Sequence, residues 1–376
     1  MGSFDVSVQG SGPVGLTAAL ALARQGLSVA LQGAGLPAGA ARAEPDIRAY
    51  ALNPASVALL ASLKVWDAIP ADARTAVYDM HIEGDAPGAA LDFSAWSQGT
   101  ESLAWIVDAA ELDIALRAAV RFAPHIDLLS DAAFDAADAA LTVLAEGKAS
   151  ATRSRLGVRM PVQRYGQRAI AARLDSTQVH AGMARQWFRS PDVLALLPLD
   201  RPTPGRSLAL VWSVPDTRAD ELLALAPADF ESALNDATGA AAGTLTLASA
   251  RAAWPLSLAR AEQVSGPGWV LVGDAAHVVH PLAGQGLNLG LADVQALAAV
   301  LRAREPWRAL GDEKLLRRYA REREWPTRAM GEVTDTLLRL FASQNPGLRE
   351  LRNRGLTLVN RVPALKRFLT ARATAS

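Results

Sequence analysis

The chain has 376 residues, half of them hydrophobic, and its 38 basic side chains balance its 38 acidic ones. A chain of this length buries a sizeable core over two or three domains, and a net charge of zero gives no reason to expect a nucleic-acid partner. Cysteine is absent, which excludes disulfides, thiolate metal sites and cysteine nucleophiles, and no metal site is expected.

The first element is a short strand at residues 4–8. It runs into Gly10-Ser11-Gly12-Pro13-Val14-Gly15, followed by a strong helix former over 16–24 and a second strand at 27–31. Strand, GxGxxG and helix in that order are the dinucleotide fingerprint. The first glycine permits the tight turn, the second lets a pyrophosphate approach the backbone, and the third lets helix and strand pack closely. One position departs from it. Where an acidic residue at the end of the second strand usually holds a ribose, the chain has Gln32, which can hydrogen-bond a ribose but brings no charge.

Helical patterns follow at 54–63 and 108–122, and a third comes later at 312–325. Between them, 73–100 and 158–261 carry alternating, β-rich runs that predict an antiparallel sheet. The expected organisation is a discontinuous nucleotide-binding domain over 1–72, 101–157 and 262–345, with a substrate domain over 73–100 and 158–261 inserted into it.

A second loop of chemical interest follows the apolar strand at 269–272. There Gly273-Asp274-Ala275-Ala276-His277 leads through His280, Pro281, Gly284, Gln285, Gly286, Leu287 and Asn288 into a helix. A glycine-rich loop at a helix start lets backbone approach a bound ring, with N–H groups directed at it.

The C-terminal part, 346–376, reads as a basic amphipathic helix. It carries Arg349, Arg352, Arg354, Arg361, Lys366, Arg367 and Arg372 against the single acid Glu350, interleaved with leucines, and suits an anionic membrane surface or a partner protein. No apolar run approaches the roughly 20 residues of a membrane span. The opening leaves no room for a signal peptide, so a cytoplasmic protein is expected, with peripheral contact at the inner membrane face as the role for the tail.

Together GSGPVG, the run 46–52 (Asp-Ile-Arg-Ala-Tyr-Ala-Leu), Tyr165-Gly166-Gln167, GDAAHVVHPLAGQGLNLGLAD and the chain ending resemble the flavin-dependent aromatic hydroxylases of ubiquinone biosynthesis. These are the UbiH/UbiF type, within the para-hydroxybenzoate hydroxylase class, and the resemblance covers nearly the whole chain. It implies an α/β fold: a Rossmann-like, glutathione-reductase-like FAD-binding domain, an inserted, mainly antiparallel substrate sheet and a C-terminal helix.

The resemblance also implies residue roles. Gly10, Gly12 and Gly15, with Pro13 and Val14 between them, would hold the FAD pyrophosphate, and Arg48 would lie by the flavin near the phosphates. Gly273 and Asp274 would approach the ribityl or ribose hydroxyls. Pro281 and the stretch Gly284, Gln285, Gly286, Leu287 and Asn288 would border the flavin ring, where His277 and His280 either position it, shuttle protons or simply pack. The family motif of Asp-Gly followed by Ser and Arg matches Glu146-Gly147 with Ser150 and Arg153, so Glu146 replaces the aspartate and its carboxylate is displaced by one methylene. Pro281, His280 and Arg48 are the expected catalytic residues.

The implied chemistry uses FAD, with NADPH or NADH as a transient co-substrate. Reduced flavin captures O2 at its C4a carbon, and the terminal oxygen of the resulting hydroperoxide passes to a phenolic ring. A water-excluding pocket is expected between the flavin loop and the inserted sheet, lined by Trp187, Phe188, Leu196, Leu197, Trp212 and Trp254. The alternative is a non-catalytic or flavin-binding scaffold in a ubiquinone-synthesis complex, suggested by Gln32, Glu146 and the tail. A halogenase reading lacks its Trp-x-Trp-x-Ile-Pro signature, since Trp105 is followed by Ile106-Val107-Asp108.

Overall fold

The computed structural model describes residues 4–33, 46–85, 89–129, 138–279 and 285–342, the side chains of 285, 326 and 329–342 excepted. Three sheets organise them. The first has six strands in the order Ser265–Gly266, Trp269–Leu271, Ala139–Leu144, Phe4–Gln9, Val29–Gln32 and Ile126–Leu128, all parallel except the first pair. Its central strands are buried on both faces, hence the apolar runs Val-Ala-Leu and Leu-Thr-Val-Leu rather than strict alternation.

The helix Pro13–Ala23 is buried along nearly its whole length, from Gly15 to Ala23. A helix apolar on every side belongs between layers. It packs against Ala109–Phe122 and Gln285–Arg302. Asp108 caps Ala109–Phe122 by accepting from the Ala110 and Glu111 N–H groups.

The large sheet has the order His277–Val278, Ala252–Arg260, Val162–Ser176, Ser207–Pro215, Asp192–Leu199, Met183–Arg189, Asp79–Glu83 and Ala90–Ser94, with Leu245–Leu247 also on Val162–Ser176. Every pairing is antiparallel except that of Met183–Arg189 with Asp79–Glu83. Trp187, Leu194, Trp212 and Ile170 lie opposite one another across successive strands, so they share one face. That face is covered by Asp216–Ala224 and Pro227–Thr238, whose Leu222, Phe230 and Leu234 join the same core cluster. The other face carries Ala184, Leu199 and Ala209, packed on Val77, Leu103 and Ile106 beside the small sheet Ala49–Leu52, Ala104–Asp108 and Arg74–Val77.

One helix boundary differs from the sequence expectation, and one expected strand carries a bulge. The helix expected at 312–325 is Glu313–Ala342 and continues through Pro326, where the ring removes one backbone donor without ending the helix. Tyr165-Gly166-Gln167 lies within the strand Val162–Ser176 at a bulge: the register against Ala252–Arg260 shifts between Arg164 and Arg168, and Gly166 has φ +65°.

Candidate functional site

Four of the expected site residues, Gly10, Gln32, Glu146 and Gly273, lie at the carboxyl ends of the parallel strands, where open α/β sheets take their ligands. Phe4–Gln9 ends at Gly10, Val29–Gln32 at Gln32, Ala139–Leu144 just before Glu146, and Trp269–Leu271 just before Gly273. The Gly10 N–H donates to the Gln32 carbonyl at 2.8 Å, which closes the first turn.

The glycines divide into two kinds. Gly10 has φ +118°, and a Cβ there would lie 2.2 Å from the Ala145 carbonyl oxygen; at Gly15 it would lie 2.0 Å from the Gly10 oxygen. These two make the turn itself possible. At Gly12 and Gly286 a Cβ would meet no atom of the described residues within 4 Å. An exposed backbone at a helix start, with no side chain in front of it, suits an anionic ligand.

Val14, in the first turn of Pro13–Ala23, packs against both Gly273 and Gly290. The two glycine-rich segments therefore touch. His277–Val278 forms an edge strand of the large sheet, so the turn at Gly273–Ala275 joins the parallel sheet to the antiparallel one.

Around this turn the charges are arranged in layers. Arg48 donates to both Asp46 carboxylate oxygens, at 2.9 and 2.7 Å, and its guanidinium lies 5.8 Å from the ring centres of both Tyr50 and Trp254. The hydrogen bond to Asp46, opposed by burial and helped by Tyr50, Asp46 and Asp274, holds Arg48 firmly charged. Burial lifts the Asp274 carboxyl above the ordinary range, against the pull of Lys148, His277 and Arg48. Arg48, Lys148 and Asp274 thus face one another across the carboxyl ends of the strands.

Glu146 turns its carboxylate inward. Its Oε2 accepts from Ser150 Oγ at 2.5 Å and from the Thr152 N–H at 3.1 Å, at the start of the helix Ala151–Arg155. Arg153, buried to 7 % exposure, donates to the Ala275 carbonyl at 2.9 Å and to the Lys148 carbonyl at 2.9 Å, pinning the Gly273–Ala275 turn to the Glu146 loop. Asn288 is committed elsewhere. Its Oδ1 accepts from the Asn53 N–H and Ser56 Oγ, and its Nδ2 donates to the Ala51 carbonyl, which fixes the helix Gln285–Arg302 on the start of Pro54–Ser62. Leu287 packs partly against the core.

Three groups, Arg173, Asp293 and Arg323, were missed by sequence reasoning. Arg173, on the large sheet, donates to the Arg48 carbonyl at 2.7 Å and to Asp108 Oδ2 at 2.9 Å. Its one signal is a charge interrupting the apolar run from Ala169 to Leu174. Asp293, 1 % exposed, accepts from His277 Nε2 at 2.7 Å, the Gly273 N–H at 2.9 Å and Arg323 Nε at 2.7 Å. Burial works against this carboxylate, yet the charges and hydrogen bonds of His277 and Arg323 outweigh it and hold Asp293 below the ordinary range.

Of the expected pocket residues, Trp187, Leu196 and Trp212 lie in the core beneath the helices Asp216–Ala224 and Pro227–Thr238, because their side chains share the covered face. Trp254 is the one beside Arg48. His280, Pro281 and Gly284, the side chain of Gln285 and the tail 346–376 lie outside the described residues.

The FAD binding domain family matches residues 130–333. The 3-demethoxyubiquinol 3-hydroxylase of Escherichia coli is 31 % identical over 96 % of this chain and 96 % of its own. The ubiquinone hydroxylase UbiL of Rhodospirillum rubrum is 30 % identical over 98 % of this chain and 89 % of its own. Among solved structures, PqsL of Pseudomonas aeruginosa, a probable FAD-dependent monooxygenase, superposes with a TM-score of 0.76 at 21 % identity, over 95 % of this chain and 100 % of its own.

Proposed function

Because the chain belongs to the family of FAD-dependent monooxygenases that includes the ubiquinone hydroxylases, we propose that it hydroxylates a phenolic ring, a polyprenyl phenol on the way to ubiquinone, with NADPH or NADH as electron source. Bound FAD would supply the redox chemistry, the activation of O2 for transfer of one oxygen atom to the ring with water as the second product.

What this chain adds is placement. The backbone at Gly12 and the start of Pro13–Ala23 would hold the pyrophosphate, and Gln32 a ribose. Arg48 and Lys148 would place positive charge beside the phosphates, and Asp274 would accept from sugar hydroxyls. The start of the helix Gln285–Arg302 would offer backbone N–H groups to the flavin. The observation that supports this reading is the space in front of Gly12, at the carboxyl end of the strand Phe4–Gln9, and of Gly286, at the start of the helix Gln285–Arg302, near the charges of Arg48, Lys148 and Asp274.

The basic tail at 348–376 is assigned to an anionic membrane surface or to a partner in the same pathway. Flotation of the full chain with anionic vesicles, compared with a chain ending at residue 345, tests this.

The function is tested by titrating purified protein with FAD and then adding NADPH anaerobically, with and without a prenylated phenol. Flavin uptake with phenol-accelerated bleaching supports the hydroxylase. Protein that stays colourless in excess FAD contradicts it and favours a scaffold.

A further inference from the structure

The outward face of the helix Glu313–Ala342 carries chemistry that the cofactor site does not use. Leu315, Leu316, Tyr319, Arg323 and Thr327 turn inward and are buried, and Arg323 reaches Asp293 behind the Gly273 turn. On the opposite side Lys314, Arg318, Arg321 and Trp325 recur at i, i+4, i+7 and i+11, one stripe of a helix. Along that stripe runs an open hollow of about 470 Å³ lined by Arg308, Lys314, Arg317, Arg318 and Arg321, with Ala320 and a single acid, Glu324.

The neighbouring acids stand back from the hollow. Arg308 and Arg318 share Glu305, Arg308 also reaches Asp312, and Arg317 pairs with Glu313, yet none of these three carboxylates lines it. Lys314 and Arg321 make no ion pair among the described residues. Glu322 is exposed on the flank of the helix. The side chains that border the hollow are thus nearly all cations, which fit a surface dense in anions. Two tryptophans adjoin it. Trp307 precedes Arg308 and is 82 % exposed, and Trp325 lies one helical turn beyond Arg321 and is 69 % exposed. Single exposed aromatics are ordinary, but two beside one basic hollow match the order of a bilayer surface, where indoles settle at the acyl boundary and Arg and Lys meet phosphates outside it. An acidic protein surface would meet the cations without offering the indoles that apolar layer. The sequence after this helix repeats the chemistry, with Arg349, Arg352 and Arg354 among Leu348, Leu351 and Leu356.

We propose that this face docks on an anionic phospholipid bilayer, with head-group phosphates in the hollow and the rings of Trp307 and Trp325 at the acyl boundary. The contact is separate from the one assigned to 348–376 and stands without the hydroxylase reading. In this orientation the helix lies between the lipid and the Gly273 turn, since Arg323 on its inner side holds the Asp293 that accepts from the Gly273 N–H. The turn is then separated from the bilayer surface by about one helix diameter, about 10 Å. A polyprenyl phenol dissolves in the same layer, so docking concentrates such a substrate at the protein.

The full chain is mixed with vesicles of phosphatidylcholine, alone or with phosphatidylglycerol. Partition is read by flotation, and contact of the indoles by quenching of tryptophan fluorescence with brominated acyl chains. The wild type floats with the anionic vesicles, is released by high salt, and is quenched. Trp307→Ser combined with Trp325→Ser loses the quenching. Lys314→Glu combined with Arg321→Glu weakens partition about tenfold or more. All four side chains are exposed, so the melting temperature, FAD uptake and flavin bleaching by NADPH in solution stay as in the wild type. Flotation and quenching that survive both double substitutions place the lipid contact elsewhere, such as 348–376, and overturn the proposal. Equal binding to neutral vesicles overturns it as well. A wild type that never floats also overturns it, and retention on poly-glutamate would then mark an acidic protein as the partner.

Discussion

Val14 and Gly290 are in contact across the interface of the helices Pro13–Ala23 and Gln285–Arg302: a Cβ at Gly290 would lie 2.6 Å from Val14 Cγ2 and 3.2 Å from the Gly273 Cα. This contact joins the pyrophosphate turn to the Gly273–Ala275 turn, so the two halves of the cofactor site are held at a distance set by the absence of one methyl group.

Gly290→Ala should therefore strain the packing and cost about 1–3 kcal/mol of stability. Gly12→Ala, facing open space, should leave the melting temperature unchanged while weakening FAD by about tenfold or more through steric exclusion of the pyrophosphate. Thermal melts without cofactor, paired with FAD titrations, separate the two. Equal destabilisation by both substitutions would contradict the assignment of Gly12 to a ligand.

Asp274 should behave as a functional residue held at a cost. Its folded pKa is raised by burial, so the protonated form is favoured in the fold. For an acid this penalty on the carboxylate sets in as pH rises through the ordinary value near about 4 and is complete above the folded value. Asp274→Asn is expected to raise the melting temperature of cofactor-free protein at neutral pH, to lose that advantage near about pH 3, and to weaken FAD about tenfold. An unchanged FAD affinity would remove Asp274 from the site.

Asp293 has the opposite sign. Its folded pKa is depressed, so its contribution is present above the ordinary carboxylate value near about 4 and is lost as pH falls through the folded value. Asp293→Asn should destabilise by about 3–5 kcal/mol at neutral pH, because Arg323 is left buried without its anion. Urea midpoints of the two proteins should converge below about pH 4; a constant gap would contradict the linkage.

Arg173 couples the large sheet to the cofactor side through the Arg48 carbonyl and Asp108. Arg173→Met should cost about 1–3 kcal/mol by removing the ion pair with half-buried Asp108, which keeps its helix-capping bonds. It should also loosen Arg48, seen as weaker FAD binding. A loss of stability with no change in FAD affinity would confine Arg173 to packing.

Much of this architecture was legible because its signals are local. Gly10-Ser11-Gly12-Pro13-Val14-Gly15 sits between a strand and a helix in the observed structure, and the β-rich runs of 158–261 are antiparallel strands. What escaped is long-range. Arg173 meets Arg48 from 125 positions away, and Arg323 meets Asp293 from 30 positions away, so no local window contains both partners. The helical pattern at 312–325 is the first part of a longer helix, Glu313–Ala342. Glu146 was legible as a substitution in a motif. Its use as an acceptor for Ser150 and Thr152 needed the folded turn.

The most direct test of the central claim is turnover of a prenylated phenol by the FAD-loaded protein with NADPH under isotopically labelled O2. Mass spectrometry reads the product. The hydroxylase account predicts one labelled oxygen atom on the ring for each NADPH consumed. NADPH oxidation that yields only hydrogen peroxide, with no label in any phenol offered, would contradict it.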